Sequence, residues 1–354
     1  MQNRITNLNI ATVNNEDYIR ESSSEQLIYF RTQQLADKAK YCENSILKYA
    51  GCLDGKVIFL TGTGTLAMES IVDNLISKNN KVFIITGGTF GKRWIEICKK
   101  QNKSYCEYTS EFGKNLNIDV IESLLKEHSP TFLLMQHVET SSGQLNDIKT
   151  IGNLCKKYNI KLIVDGMGSF LIHETNMDDC NVYGFATSSH KGLSVYPGIG
   201  IVILNKEAKS ATFNSVSYYT DFNKYLNDFV ELYFPYTTNS LVMNQIYLKL
   251  KDIDKNGIHT SLNRIENLAH YFRKKITRLP LKIAAETPSN CCTVLYTEKT
   301  DVKDFFNKMI QKNIYFTPTG GLNGKIFSVG HIGDLNENDY DDFIRELEKW
   351  LHIQ

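Results

Sequence analysis

The sequence predicts an α/β protein, a mainly parallel sheet with helices on both faces followed by a smaller α/β lobe. Two observations carry this. Between Val57 and Leu204, short β-branched apolar runs alternate with stretches of helical spacing. After about Leu250 that texture gives way to a long helical stretch followed by shorter strands and helices. A chain of 354 residues with 42% hydrophobic content can bury a full core and build more than one lobe.

Taken in order, Val57–Leu60, Lys81–Thr86, Phe132–Gln136, Lys161–Val164 and Ile199–Leu204 read as buried strands. Leu66–Ser77, Arg93–Gln101, Val120–Lys126 and Ile148–Tyr158 carry helical spacing between them. Strand–helix alternation of this kind belongs to parallel sheets covered on both faces, which take ligands at the carboxyl ends of their strands. Beyond residue 250 a helix is expected over Leu262–Arg278, with strands near Leu281–Ala285 and Cys292–Tyr296. A helix near Val302–Lys312, a strand near Lys325–Val329 and a terminal helix from Glu337 complete the smaller lobe. The expected division is an N-terminal arm over 1–24, a large domain over 25–250 and a small domain over 251–354, with the cleft between lobes as the default site.

Composition narrows the function classes. The net charge is +1, which argues against a nucleic-acid partner. No stretch approaches the roughly 20 apolar residues of a membrane span, and Met1–Arg20 is too polar for a secretory signal. The eight cysteines are scattered, with no CxxC pair, and Cys291 and Cys292 are adjacent. That usage fits reduced thiols in the cytoplasm better than a disulfide frame or a metal site.

Chemistry-bearing motifs follow the predicted strands. Thr61-Gly62-Thr63-Gly64-Thr65 opens a helix, where backbone N–H groups and hydroxyls converge on one point and the helix dipole favours a phosphate. No Gly-Lys-Ser/Thr follows, and the third glycine of a dinucleotide fingerprint is absent. Leu162-Ile163-Val164-Asp165 ends an apolar strand in a carboxylate, able to cap a helix or to pair with a cationic ring nitrogen. Ser188-Ser189-His190-Lys191-Gly192 sets a lysine among small residues. Burial lowers a lysine's pKa and makes imine formation with an aldehyde practical, although an ordinary surface lysine is the commoner fate. Phosphate turn, strand-end acid and lysine, in that order, are the handles pyridoxal 5′-phosphate (PLP) needs.

With these motifs the sequence resembles the class V aminotransferases of PLP fold type I, a mainly parallel, seven-stranded type of sheet. It is most similar to the 2-aminoethylphosphonate–pyruvate and alanine–glyoxylate/serine–pyruvate aminotransferases. The resemblance covers Val57 to Leu241 and rests on His137-Val138-Glu139-Thr140-Ser141-Ser142-Gly143, Val164-Asp165-Gly166-Met167 and Ser189-His190-Lys191. It implies that Thr63, Gly64, Thr65 and His190 hold the cofactor phosphate. Phe90 would stack on the ring, Met167 cover its other face, Thr140 bond its phenolic oxygen and Asp165 its nitrogen. For Phe90 and Met167, core packing is the alternative. Lys191 would carry the cofactor as a Schiff base and move the proton. Thr238 would reach the neighbouring subunit's phosphate, making the protein a homodimer with shared active sites. A small-molecule amino donor and an oxo acceptor follow from the same resemblance.

Two departures bear on substrate. The family carries an arginine in a Phe-Arg-Ile-Gly segment to grip a carboxylate, and here Phe327-Ser328-Val329-Gly330 puts Ser328 in its place. The family's Thr-Pro-Gly-Pro opening is also replaced, by Ile10-Ala11-Thr12-Val13-Asn14. A serine offers no bidentate charged fork. The substrate anion is therefore expected to be absent or to meet Lys325, Arg31 or His331, and a PLP lyase or decarboxylase on the same fold is the alternative to an aminotransferase. A catalytically silent PLP-fold subunit and a nucleotide-binding enzyme are the remaining rivals.

Overall fold

The computed structural model describes residues 4–227, 233–299, 301–319 and 321–352. Its large sheet is built from β1 (Lys56–Gly62), β2 (Lys81–Thr86), β3 (Ser104–Thr109), β4 (Phe132–Gln136), β5 (Lys161–Asp165), β6 (Val182–Ser188) and β7 (Gly198–Leu204). The strands lie in the order β1-β7-β6-β5-β4-β2-β3. Pairings from β6 through β3 are all parallel, and β7 runs antiparallel to both β6 and β1. The carboxyl ends of β1, β2, β4, β5 and β6 therefore share one edge with the start of β7.

Side chains alternate across the strands, so each face has its own core. Phe59, Phe83, Leu133, Met135, Leu162, Val164 and Ile201 pack with helices α1 (Gln33–Tyr49), α4 (Ile118–His128), α5 (Ile148–Lys157) and α6 (Ser240–Asn256). Their neighbours Ile58, Leu60, Ile84, Leu134, Ile163 and Val202 pack with α2 (Gly64–Leu75) and α3 (Thr89–Lys100) on the other side. Burial on both faces is why these strands are apolar throughout. The sequence reading lacked two strands of this sheet. Strand β3 is an edge strand, half-exposed and polar, while β6 is buried but rich in small and polar residues (Val-Tyr-Gly-Phe-Ala-Thr-Ser).

A second sheet follows, antiparallel, from β8 (Lys282–Ile283), β9 (Cys292–Tyr296), β10 (Thr317–Thr319) and β11 (Ile326–Gly330), in the order β8-β9-β11-β10. Helices α7 (Ile258–Ile276), α8 (Val302–Ile310) and α9 (Glu337–Leu351) cover one face, where Phe272, Phe305 and Phe343 meet Leu295, Phe327 and Val329. The alternate residues Cys292, Val294 and Ile326 face the other way and pack with Ile10. Residues near the N-terminus join this lobe. Thr6 and Asn7 pair in parallel with Ile314 and Tyr315, and Leu8 O accepts from Gly330 N at 2.7 Å. All eight cysteines are unpaired, and among the described residues no helix is long and apolar enough to cross a membrane.

Candidate active site

Helix α2 begins at the shared edge. Its N-cap, Thr63, makes no side-chain capping bond, and its carbonyl accepts from Leu66 N (3.0 Å) and Ala67 N (3.4 Å). The N–H groups of Gly64 and Thr65 lie in the first turn, where a helix has no partner for them. Glycine at 64 is a matter of space, since a Cβ there would come within 2.4 Å of Met167 Cε and Sδ. The turn is thereby held against the loop that follows β5. Ser188 lies against the same glycine and is 3.3 Å from His190 Nδ1. Burial lowers the His190 pKa to about 4, so its ring is neutral near pH 7.

Asp165 is the last residue of β5 and is 4% exposed. Its Oδ1 accepts from Met167 N at 2.9 Å, the cap-like bond anticipated from sequence. Among the described residues no donor bonds the other oxygen, leaving it to serve a second partner. Burial pushes this carboxyl up to about 6, Glu139 adds to the rise, and the Met167 N–H with the charges of Arg93 and Lys191 opposes it. Lys191, in the turn between β6 and β7, shows the converse. Burial holds its ammonium below the ordinary lysine range, while Cys291, Asp165 and Cys292 pull the other way. Its Nζ donates to Ile10 O at 2.8 Å, a contact supplied by the segment expected from sequence to be an N-terminal arm. A buried acid and a desolvated amine are thus set within each other's field at the ends of neighbouring strands.

The remaining expected residues gather around them. Phe90, half-buried in the first turn of α3, lies under the Arg93 guanidinium at 4.9 Å from its ring centroid. Thr140 is buried against Gly168, and its carbonyl faces Cys292 Sγ at 3.7 Å. Thr238 hydrogen-bonds Thr61 Oγ1 of the same chain at 3.3 Å, two residues before the α2 cap. Ser328 is buried on the β11 face shared with Ile326 and pairs with Val294, so it looks toward the Ile10 segment rather than into the lobe's core.

The other anion candidates are held elsewhere. Lys325 is engaged by Glu298 at 3.1 Å, and Arg31 lies 5.0 Å from the Phe30 ring, ahead of α1. His331 is fully buried, with its nitrogens 2.8 Å from Thr293 Oγ1 and 3.0 Å from Tyr340 Oη. Both edges of its ring are spent inside the small lobe, so it does not serve as an anion partner. A cavity of about 730 Å³ beside His137 and His173 does not include Asp165 or Lys191 in its lining.

Two site residues had no assigned role from sequence. Glu139, 1% exposed, accepts from Phe90 N (3.2 Å), Gly91 N (2.8 Å), Ser141 N (3.1 Å) and Ser141 Oγ (2.5 Å). The α3 N-cap is Gly88, with no side chain to cap the helix, so a carboxylate 48 residues beyond Gly91 and 49 beyond Phe90 does it. Arg93 Nη1 donates to Thr65 Oγ1 at 3.3 Å, tying α3 to the α2 turn. Glu139 belongs to the His137–Gly143 motif and Arg93 opens a stretch of helical spacing, but neither feature shows what the side chain touches.

Pyridoxal phosphate fits this set. An uncapped helix start suits its phosphate, the spare oxygen of Asp165 its ring nitrogen, and the desolvated Lys191 amine its aldehyde. Comparison with known proteins agrees. Residues 11–316 match the family described as Aminotransferase class-V. The chain is 27% identical over 311 residues to the bifunctional phosphonoacetaldehyde hydrolase/aminoethylphosphonate transaminase of Clostridioides difficile (strain 630), covering 83% of this chain and 48% of that protein. It is 28% identical over 340 residues to serine–glyoxylate aminotransferase of Arabidopsis thaliana, covering 92% and 81%. The crystal structure of alanine–glyoxylate aminotransferase from Nostoc sp. superposes with a TM-score of 0.89 at 21% identity, over 98% of this chain and 95% of that one. The fold is that of the type I PLP enzymes, and the chain belongs to the class V aminotransferase family, whose reaction is transamination on pyridoxal 5′-phosphate.

Proposed function

We propose that this protein is a PLP-dependent aminotransferase moving an amino group between a small amine or amino acid, an aminophosphonate such as 2-aminoethylphosphonate being the candidate the family resemblance suggests, and a 2-oxo acid. The observation that carries the proposal is the placement of buried Asp165 and desolvated Lys191 within each other's field at adjacent strand ends, beside the uncapped α2 start. Once bound, the cofactor supplies an electron-withdrawing ring that stabilises charge developing at the substrate's α-carbon. Asp165 would meet the ring nitrogen and favour its protonated form. Lys191 would hold the cofactor aldehyde through its amine, and its Nζ, less basic than an ordinary lysine, would serve as the base that moves the substrate's α-proton. Phe90 and Met167 would bracket the ring, Thr140 would meet its phenolic oxygen, and Thr63, Gly64, Thr65 and His190 would take the phosphate.

The same proposal makes the protein a cytoplasmic homodimer in which Thr238 contributes to the partner's site, with the chain divided near residues 24 and 250. Val216 and Tyr218 support the dimer, being 91% and 79% exposed beside the Tyr236–Thr238 segment, where a subunit contact would cover them. Ser328 favours one second reading, a lyase or decarboxylase on this fold, since it gives the substrate carboxylate no cationic fork.

Borohydride reduction of the cofactor-saturated protein and peptide mass mapping test the first reading. A pyridoxyl adduct on Lys191 is expected, and its absence would refute the cofactor assignment. Conversion of the bound cofactor to its pyridoxamine form by an amino donor separates the two reactions. If no donor produces it, the aminotransferase reading fails and the lyase reading stands.

A further inference from the structure

We propose that Arg93 is an anion-binding residue of this site, its guanidinium taking an oxyanion that belongs either to the cofactor's phosphate or to the acidic group of the substrate. The inference rests on the PLP reading above and goes beyond it by assigning a residue that reading leaves without a role.

Arg93 rises from the second turn of α3 and links that helix to the start of α2. Its Nη1 donates to Thr65 Oγ1 at 3.3 Å, and its Cζ lies 4.9 Å from the Phe90 ring centroid. The aromatic face and the hydroxyl together fix the plane of the guanidinium. A guanidinium carries five N–H donors in a planar fork, and one is spent on Thr65, so an edge remains for a bidentate oxyanion. Among the described residues it has no carboxylate within ion-pair distance. Glu139, the acid that caps the same helix, is engaged by Phe90 N, Gly91 N and Ser141. An arginine at the mouth of an active site with no counter-ion is a charge awaiting one.

Its field reaches the chemistry. The Arg93 charge lowers the pKa of both the Asp165 carboxyl and the Lys191 ammonium. It is therefore within electrostatic reach of the two residues that would meet the cofactor. Contact with Thr65 points to the phosphate, and proximity to Phe90 and Lys191 points to the substrate. The ligand chemistry is the same in both cases, so the experiment has to separate the sources.

The full-length Arg93→Gln and Arg93→Lys variants are titrated with PLP and with unphosphorylated pyridoxal, following the visible absorbance. Cofactor-saturated enzymes are then given L-alanine, 2-aminoethylphosphonate and L-alaninamide as donors. If Arg93 meets the phosphate, Arg93→Gln weakens PLP tenfold or more and leaves pyridoxal unchanged. If it meets the substrate, PLP affinity holds while KM for alanine or the phosphonate rises tenfold or more at near wild-type kcat, with alaninamide unaffected. In either case Arg93→Lys recovers part of the loss, because the charge remains. The proposal is overturned if Arg93→Gln changes neither ratio, or if PLP and pyridoxal, and charged and uncharged donors, all weaken alike with a lower melting temperature. Should the wild type respond to none of the donors, an unchanged PLP-to-pyridoxal ratio alone overturns it. Failure of the underlying function reading shows separately, as no pyridoxyl adduct on Lys191 in the wild type.

Discussion

Replacing Glu139 with glutamine changes one atom in a buried clamp and should release the start of α3. In the native site the two carboxylate oxygens receive N–H groups from Phe90 and Gly91 as well as both donors of Ser141. An amide retains one oxygen. With that oxygen turned to Phe90 N and Ser141, the NH2 group faces Gly91 N at what was a 2.8 Å bond, donor against donor. A buried N–H left without an acceptor costs about 1–3 kcal/mol. Losing a negative charge at a helix N-terminus adds roughly 0.3–2 kcal/mol in a partly buried setting. Denaturant unfolding of Glu139→Gln should therefore show a loss of about 2–4 kcal/mol at unchanged m-value. Two functional readouts accompany it. Gly91 loses the bond that anchors the turn carrying Phe90, so kcat should fall in cofactor-saturated enzyme. Asp165 loses a neighbouring negative charge that helps raise its pKa, so that pKa should drop. A variant within 0.5 kcal/mol of wild type, by the ordinary scatter of surface substitutions, with full turnover, would refute the clamp.

Other consequences can be checked alongside. Asp165 takes up a proton on folding between its unfolded value of 3.8 and its folded value of about 6. The folded cofactor-free protein binds more protons than the unfolded chain in that window, so its stability falls as pH rises through it, by on the order of 3 kcal/mol. Asp165→Asn should flatten the slope, and an identical pH profile in that variant would rule Asp165 out as its source. With cofactor bound, Asp165→Asn should retain PLP and lose most turnover, whereas near wild-type activity would reduce Asp165 to a cap for Met167 N. Ser328→Arg adds a guanidinium on the face of β11 that looks toward Ile10 and should lower KM for simple 2-oxo acids. No gain with glyoxylate or pyruvate would mean that the substrate enters by another route.

Much of this architecture was legible in the chain because buried strands cannot hide their composition. The runs Lys81–Thr86, Phe132–Gln136 and Cys292–Tyr296 coincide with observed strands to the residue. What escaped was whatever lacked an apolar run. Ser104–Thr109 pairs along one side only and needs little hydrophobicity, and Val182–Ser188 is buried through small residues packed under α2. The reversed direction of β7 has no signature either, since an apolar strand reads the same in both senses.

For the site, local sequence determined which groups occur at strand ends and in what order: a hydroxyl-rich helix start, an acid and a lysine. Those features depend on neighbours within a few residues. Tertiary structure alone decided what each group touches. Glu139 caps a helix that begins at Thr89, Lys191 is held by the carbonyl of Ile10, Arg93 leans on Thr65, and His331 is locked between Thr293 and Tyr340. Each contact joins segments far apart along the chain or depends on which face of a strand turns inward, and periodicity carries no information about either. The same burial that brings Asp165 and Lys191 together shifts their proton affinities in opposite directions, a property of the folded environment rather than of either residue.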